Sequence, residues 1–283
     1  MNALKAIVRV LADRAARSYV AGPHLSDAID YASALERDGM SSTVAYWNAV
    51  GDHPADVCTA YLSAIDAIAA AGLRSYVSIK APALSMSARH VDALAARCRE
   101  RRIALHFDSL TVEHQAGTLD QIERLVPTGI GLGCTLPARF GRSPDDAERA
   151  VAQRWRVRVV KGQWADPACA VDARTGFMAL IDQLAGRAAH VAVATHDPRL
   201  AEDAMTRLRS SGTPAELELL LGLPASRVVA VARRLQVPVR VYVPYGHAWL
   251  PYALSALRAH PRMLLWLLDD ALRGQPAVGY RRS

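Results

Sequence analysis

The chain has 283 residues, 51% of them hydrophobic and 22% charged, which suits one large α/β domain at least as well as two small ones. The formal net charge is +7, but the arginines are scattered among acids with no aromatic interleaving, so the charge reads as a solvated basic surface or a site for an anionic cofactor; a nucleic-acid interface is not expected. Cys58, Cys98, Cys134 and Cys169 form no CxxC pair and no zinc-finger spacing, so buried free thiols are expected, with neither a structural metal nor a disulfide framework.

The opening segment MNALKAIVRVLADRAARSYVAG reads as an amphipathic helix broken by charges, too short in apolar run for secretion or membrane spanning. A cytoplasmic location follows as an expectation, with membrane contact at most peripheral. After a helical prelude through about residue 40, short β-rich runs alternate with longer helical patterns. The strand candidates are Thr43–Trp47, Ser75–Ile79, Ile103–Phe107, Ile130–Cys134, Arg156–Val160, His190–Ala194, a weak Glu216–Leu220, and Val239–Val243. Ser143-Pro144-Asp145-Asp146 and Asp197-Pro198 mark helix starts; Gly72 and Gly212 mark helix stops. Eight βα units and the absence of GxGxxG after the first strand favour a (β/α)8 TIM-like barrel, with its N-terminal helical prelude, over a doubly wound open sheet. The whole of 1–283 is read as one domain.

In such a barrel, chemistry sits at the carboxyl ends of the strands. Lys80 follows YVSI, Asp108 follows ALHF, Lys161 follows RVRVV, His196 follows VAVAT, and Tyr245 and His247 follow RVYVP. Any one of these has an ordinary explanation as a polar rim residue; their recurrence at strand ends is what carries weight. Lys161-Gly162 also fits an anion held against backbone, and Thr195-His196-Asp197-Pro198 offers a hydroxyl, an imidazole and a helix N-terminus suited to a pyrophosphate. An N-cap by Asp197 explains the latter equally well.

These residues resemble the proline dehydrogenase family. RVVKGQW (Arg158–Trp164) is similar to that family's RLVKGAY, VATHD (Val193–Asp197) to its ATHN, and RVYVPYG (Arg240–Gly246) to its last-strand motif. The resemblance extends through YVAG (Tyr19–Gly22), VSIK (Val77–Lys80), ELELLLG (Glu216–Gly222) and a final helix from Leu250, in barrel order. It implies FAD as cofactor and a cyclic secondary amine as substrate, with electrons passing onward to a quinone or oxygen. By resemblance, Arg158, Lys161, Gly162 and Gln163 line the flavin from the fifth strand, while Ala194, Thr195 and His196 hold its phosphates and ribose. A cation such as Arg158 beside the isoalloxazine would favour hydride acceptance. Lys80, Asp108, Tyr242 and Tyr252, together with Arg158, form the implied catalytic set, with Lys80 and Asp108 expected as an ion pair. Trp164, Leu220 and His247 would contact substrate.

Two departures qualify the resemblance. Where the family's last helix carries two consecutive arginines that grip the substrate carboxylate, this chain has Ser255 and Ala256. A hydroxyl and a methyl cannot replace a bidentate guanidinium clamp, and Arg258 lies on another helical face. The expected substrate is therefore a proline-like amine with its carboxylate altered or absent, consistent with a biosynthetic role. Second, GLGCTLPARFGRS contains no Gln where the family presents one to the flavin. The rival readings are L-proline oxidation with a replaced clamp, a Schiff-base lyase using Lys161 or Lys80 with His196 as acid or base, and a non-catalytic binding protein descended from the enzyme.

Overall fold

The computed structural model describes residues 19–49 and 51–246. Its strands are β1 (Ser41–Tyr46), β2 (Ser75–Ile79), β3 (Leu105–Phe107), β4 (Leu132–Pro137), β5 (Arg156–Val160), β6 (His190–Ala194), β7 (Ala215–Leu220) and β8 (Val239–Tyr245). They pair in parallel in chain order, and β8 returns to β1, closing the barrel. The expected strand set is present, with identical bounds at β2, β5 and β6. The fourth strand lies two to three residues later than expected, because Ile130 and Gly131 serve as the approach to it, and β8 continues two residues further through Tyr245.

The helices are α1 (Leu25–Arg37), α2 (Pro54–Ala70), α3 (Ala88–Arg101), α4 (Val112–Leu125), α5 (Ser143–Ala152), α6 (Ala173–Leu184), α7 (Pro198–Ser210) and α8 (Ser226–Arg234). Local chemistry explains their starts. Asp197 caps α7 by accepting from the amides of Arg199 and Leu200, with Pro198 in the first turn where its missing N–H costs nothing. At α5 the cap position is Arg142, one residue before the expected Ser143, whose hydroxyl donates instead to the Pro137 carbonyl at 2.7 Å. Past α2 and α7, Gly72 and Gly212 adopt φ of +65° and +72°, the left-handed turn that favours glycine. Of the helical prelude, α1 falls within the described residues, and residues 1–18 lie outside them, as does the final helix expected from Leu250. Tyr19–Gly22 leads into α1 and is tied to the end of β8, through Ala21 N to Pro244 O and Gly246 N to Gly22 O.

Strand alternation sorts the barrel into two environments. One set of alternate residues, including Val157 and Val159, Leu217 and Leu219, and Val241 and Val243, packs outward against the helices in a continuous aliphatic core. The other set points inward and is polar: Arg156 and Arg158, Glu216 and Glu218, Arg240 and Tyr242. Space for these long side chains comes from small neighbours on adjoining strands, Ala45, Gly133, Ala192 and Ala194. Cys58, Cys98 and Cys134 are buried free thiols, and Cys169 is half-buried. No helix among the described residues is long and apolar enough to cross a membrane.

Candidate active site

A cavity of about 330 Å³ opens at the carboxyl end of the barrel. Seven strands contribute the residues that end in or beside it. Lys80 and Asp108 come from the ends of β2 and β3, Thr135 and Pro137 from β4, Arg158 from β5, Ala194 from β6, Glu218 and Leu220 from β7, and Tyr242 from β8. Trp47, Phe140, Leu110 and Trp164 supply apolar walls.

The floor is built around Arg158, which is 4% exposed. Its Nε and Nη2 donate to the two carboxylate oxygens of Glu218 at 2.8 and 2.7 Å, a side-on bidentate pair. Nη1 donates to Asp108 Oδ1 at 2.5 Å, and Nη2 also reaches the Tyr76 hydroxyl at 3.2 Å. The guanidinium lies 5.1 Å from the centre of the Tyr242 ring. Tyr242 in turn donates its hydroxyl to Asp108 Oδ2 at 2.6 Å, so both oxygens of Asp108 are fixed. Glu218 further accepts from Thr43 Oγ1 at 2.7 Å. Burial pushes the Glu218 carboxyl up, but Arg158 outweighs it and holds the group below the usual carboxylate range. Burial, reinforced by Asp108, raises Tyr242 well above the usual phenol range, so it stays a donor at neutral pH.

Arg158 is thus an interior anchor. The expected Lys80–Asp108 ion pair is replaced by Asp108–Arg158. The Lys80 ammonium donates to the Tyr46 carbonyl at 3.2 Å and sits 5.9 Å from the Trp47 ring centre. Burial lowers its pKa to about 8, with Asp108 opposing that shift.

On the expected cofactor side, Gly162, Gln163, Ala194 and His196 line the cavity. Gly162 has φ of +88°, and a Cβ there would meet Pro137 Cβ at 3.1 Å, so this turn at the cavity edge favours glycine. His196 is committed to the fold: Nδ1 pairs with the Pro224 carbonyl at 3.0 Å while Nε2 accepts from the Leu220 amide at 2.9 Å. Burial lowers its pKa to about 4, so it is neutral, with both nitrogens in use. Thr195 is buried and accepts from the Asp197 amide. Lys161 is half-exposed, 3.8 Å from Asp197, and neither it nor Thr195 lines the cavity. Tyr245 is also apart from the site, buried against Tyr46 with its hydroxyl on the Ala60 carbonyl. Tyr252, Ser255, Ala256, Arg258 and His247 lie outside the described residues.

Sequence reasoning missed Glu218, Thr135 and Trp47. Glu218 was legible in principle: ELELLL alternates acid and aliphatic with the same period as RVRVV and VRVYV, so the acids and arginines share the inner face.

The arrangement supplies an open apolar slot over a fixed carboxylate–guanidinium–phenol floor, with one lysine able to exchange a proton near neutral pH. The residues at its edge fit a flat anionic cofactor such as FAD: a glycine turn, an amide side chain, an aromatic wall, and a cation beneath.

No protein-family model matches the chain. It is 28% identical to proline dehydrogenase of Deinococcus radiodurans over 282 residues, spanning 92% of this chain and 90% of that one. It is 25% identical to proline dehydrogenase 1 of Bacillus subtilis (strain 168), spanning 91% of each. Among solved structures, proline utilization A of Bdellovibrio bacteriovorus, inactivated by N-propargylglycine, shares the fold with a TM-score of 0.78 at 15% identity, covering 99% of this chain and 38% of that one. Proline utilization A of Bradyrhizobium japonicum gives a TM-score of 0.63 at 18% identity over 81% of this chain and 28% of its own. This chain spans well under half the length of those two proteins.

Proposed function

We propose that the chain is a member of the proline dehydrogenase family, an FAD-dependent oxidoreductase that dehydrogenates a proline-like cyclic secondary amine to the imine, on a substrate whose carboxylate is modified or absent. The observation that carries this reading is the joined set Arg158, Asp108 and Tyr242 on the floor of an apolar cavity at the carboxyl end of the barrel.

Gly162, Gln163 and Ala194 would hold the cofactor from β5 and β6, with Arg158 beneath it. FAD, when bound, supplies the hydride acceptor. The chain's own residues orient the substrate and manage its proton. Leu220, Trp47 and Trp164 wall the slot and limit water around a small ring. An amine gives up hydride only as the free base, so a substrate ammonium must first lose a proton. Lys80 Nζ, with a pKa near 8, is suited to take it. Asp108, held by Arg158 and Tyr242, keeps a fixed negative charge facing the substrate nitrogen.

The altered carboxylate follows from what the cavity offers. Among the described residues its two lining cations are Arg158, whose guanidinium is occupied by two carboxylates, and Lys80, which is turned to a backbone carbonyl. Neither offers a carboxylate the bidentate grip that Ser255 and Ala256 lack. A biosynthetic place for the reaction would fit such a substrate. The lyase reading has one observation in its favour, the lowered pKa of Lys80, but His196 has no nitrogen left for acid–base work and Lys161 is outside the cavity lining.

The test compares L-proline with pyrrolidine and L-proline methyl ester in the native enzyme and in the Ser255→Arg/Ala256→Arg double variant. The native enzyme should turn over the uncharged analogues in preference. The double variant should gain about 100-fold or more in kcat/KM for L-proline, the worth of a charge-assisted bidentate contact. A native enzyme that already prefers L-proline would overturn the substrate assignment.

A further inference from the structure

At the opposite, amino-terminal end of the barrel lies a second cavity of about 410 Å³, lined in part by Gly129 and Gly131 on the approach to β4 and by Gly133 within it. Nothing in the chemistry above uses it. Three buried side-chain nitrogens without a hydrogen-bond partner belong to residues that line it: His106 Nδ1, Trp155 Nε1 and His190 Nδ1. His106 is 1% exposed and Trp155 2%. An unpaired buried polar group costs about 1–3 kcal/mol, so three around one cavity call for a partner.

Hydrogen-bond chemistry fixes the polarity of one of them and allows a donor at a second. The indole nitrogen of Trp155 can only donate. Thr135 Oγ1 receives Arg158 Nη1 at 3.4 Å, so its own proton is free for His106 Nε2 at 3.0 Å. A neutral imidazole that accepts at Nε2 carries its proton on Nδ1. Burial, followed by the charges of Arg158, Arg156 and Arg240, holds His106 in that neutral form. In that tautomer Nδ1 presents a donor. Gly133 makes room beside it, since a Cβ there would stand 2.4 Å from this nitrogen.

Charge favours an anion at the same place. The guanidinium groups of Arg156 and Arg240 lie 5.0 and 4.4 Å from the ring centre of Tyr76 and share the single carboxylate of Glu216. Arg156 lines the cavity together with Arg154 and Gln153, and Val126, Ile130 and Leu132 add an aliphatic stretch to its wall. We propose that this cavity binds a short-chain monocarboxylate, its oxygens held by His106 Nδ1–H and Trp155 Nε1–H beside Arg156, its tail against the aliphatic wall. The proposal is independent of the substrate assigned to the upper cavity.

The test is an NMR titration of the FAD-loaded, ¹⁵N-labelled protein with sodium butyrate, at constant ionic strength against sodium chloride, with n-butanol as the uncharged comparison. The Trp155 indole N–H and the His106 ring should shift saturably with butyrate and not with chloride or butanol. The indoles of Trp47 and Trp164, at the other end of the barrel, should not follow. Trp155→Phe should weaken the response at His106 about tenfold or more. No saturable shift, or an equal response to chloride, would overturn the proposal. Should Trp155→Phe fail to fold, a crystal structure of the native protein grown in butyrate decides. A carboxylate within hydrogen-bond distance of both nitrogens upholds the site; water or a side chain of the protein itself in that position refutes it.

Discussion

Leu217 and Glu218 are neighbours in β7, both almost wholly buried, and they live in opposite worlds. Leu217 faces outward into the aliphatic layer between strands and helices, where the loss of any one group is a matter of area and cavity. Glu218 faces inward, where Arg158, Tyr76 and Thr43 converge on it within 3.4 Å and each partner is needed to keep another buried charge matched. The outer layer makes the barrel; the inner column makes the site. Three guanidinium groups, Arg156, Arg158 and Arg240, are met there by three carboxylates, Glu216, Glu218 and Asp108. Such a column need not add stability relative to an apolar filling, but breaking one member of it is costly.

Glu218→Ala should have the largest effect, about 3–5 kcal/mol of unfolding free energy, because it leaves Arg158 buried with half its compensation. Denaturant unfolding measures that loss, and the FAD affinity and reduction rate of the folded fraction should fall with it. Leu217→Ala sharpens the contrast: about 2–5 kcal/mol from a cavity in the aliphatic layer, with kcat/KM of the folded protein essentially unchanged. Gly162→Ala should cost about 1–2 kcal/mol for its left-handed backbone, and the Cβ contact with Pro137 should weaken FAD binding more than it lowers the melting temperature. Calorimetry and flavin-fluorescence titration separate the two.

The smallest effect is on pH. His196 has a folded pKa of about 4, below its unfolded value of 6.5, so the unfolded chain binds the extra proton first. Its contribution is fully present above about 6.5 and is lost as the pH falls toward 4. Stability measured across that window should decline toward acid, and His196→Gln should flatten the decline. Lys80 works at the other end: its folded pKa is lowered from 10.5 to about 8, so between those values the unfolded state holds more protons and stability rises with pH. The rate should rise through pH 8 in step, if Lys80 takes the substrate proton.

The same contrast explains what the sequence made legible. The outer layer announces itself through β-branched and aliphatic residues in short runs, and β2, β5 and β6 could be bounded to the residue. Strand ends were equally readable: Lys80, Asp108, Gly162, Ala194, Leu220 and Tyr242 do share one cavity. The inner column was harder. Alternating charge and aliphatic, as in RVRVV and ELELLL, is the pattern of a sheet with one face in water. Only closure of the barrel turns that wet-looking face inward, which is why Glu218 passed as part of a weak strand. Pairing partners are also invisible in one dimension. Asp108 sits 28 residues from Lys80 and 50 from Arg158, and barrel curvature, not sequence distance, gives it to the arginine.

The most direct measurement is the anaerobic visible spectrum of the FAD-loaded protein before and after an excess of L-proline methyl ester, with L-proline in parallel. The oxidised flavin band should bleach with the ester and change little with L-proline. A flavin that stays oxidised with the ester while L-proline bleaches it would contradict the assignment of an altered carboxylate, and a protein that binds no FAD would contradict the assignment of the site itself.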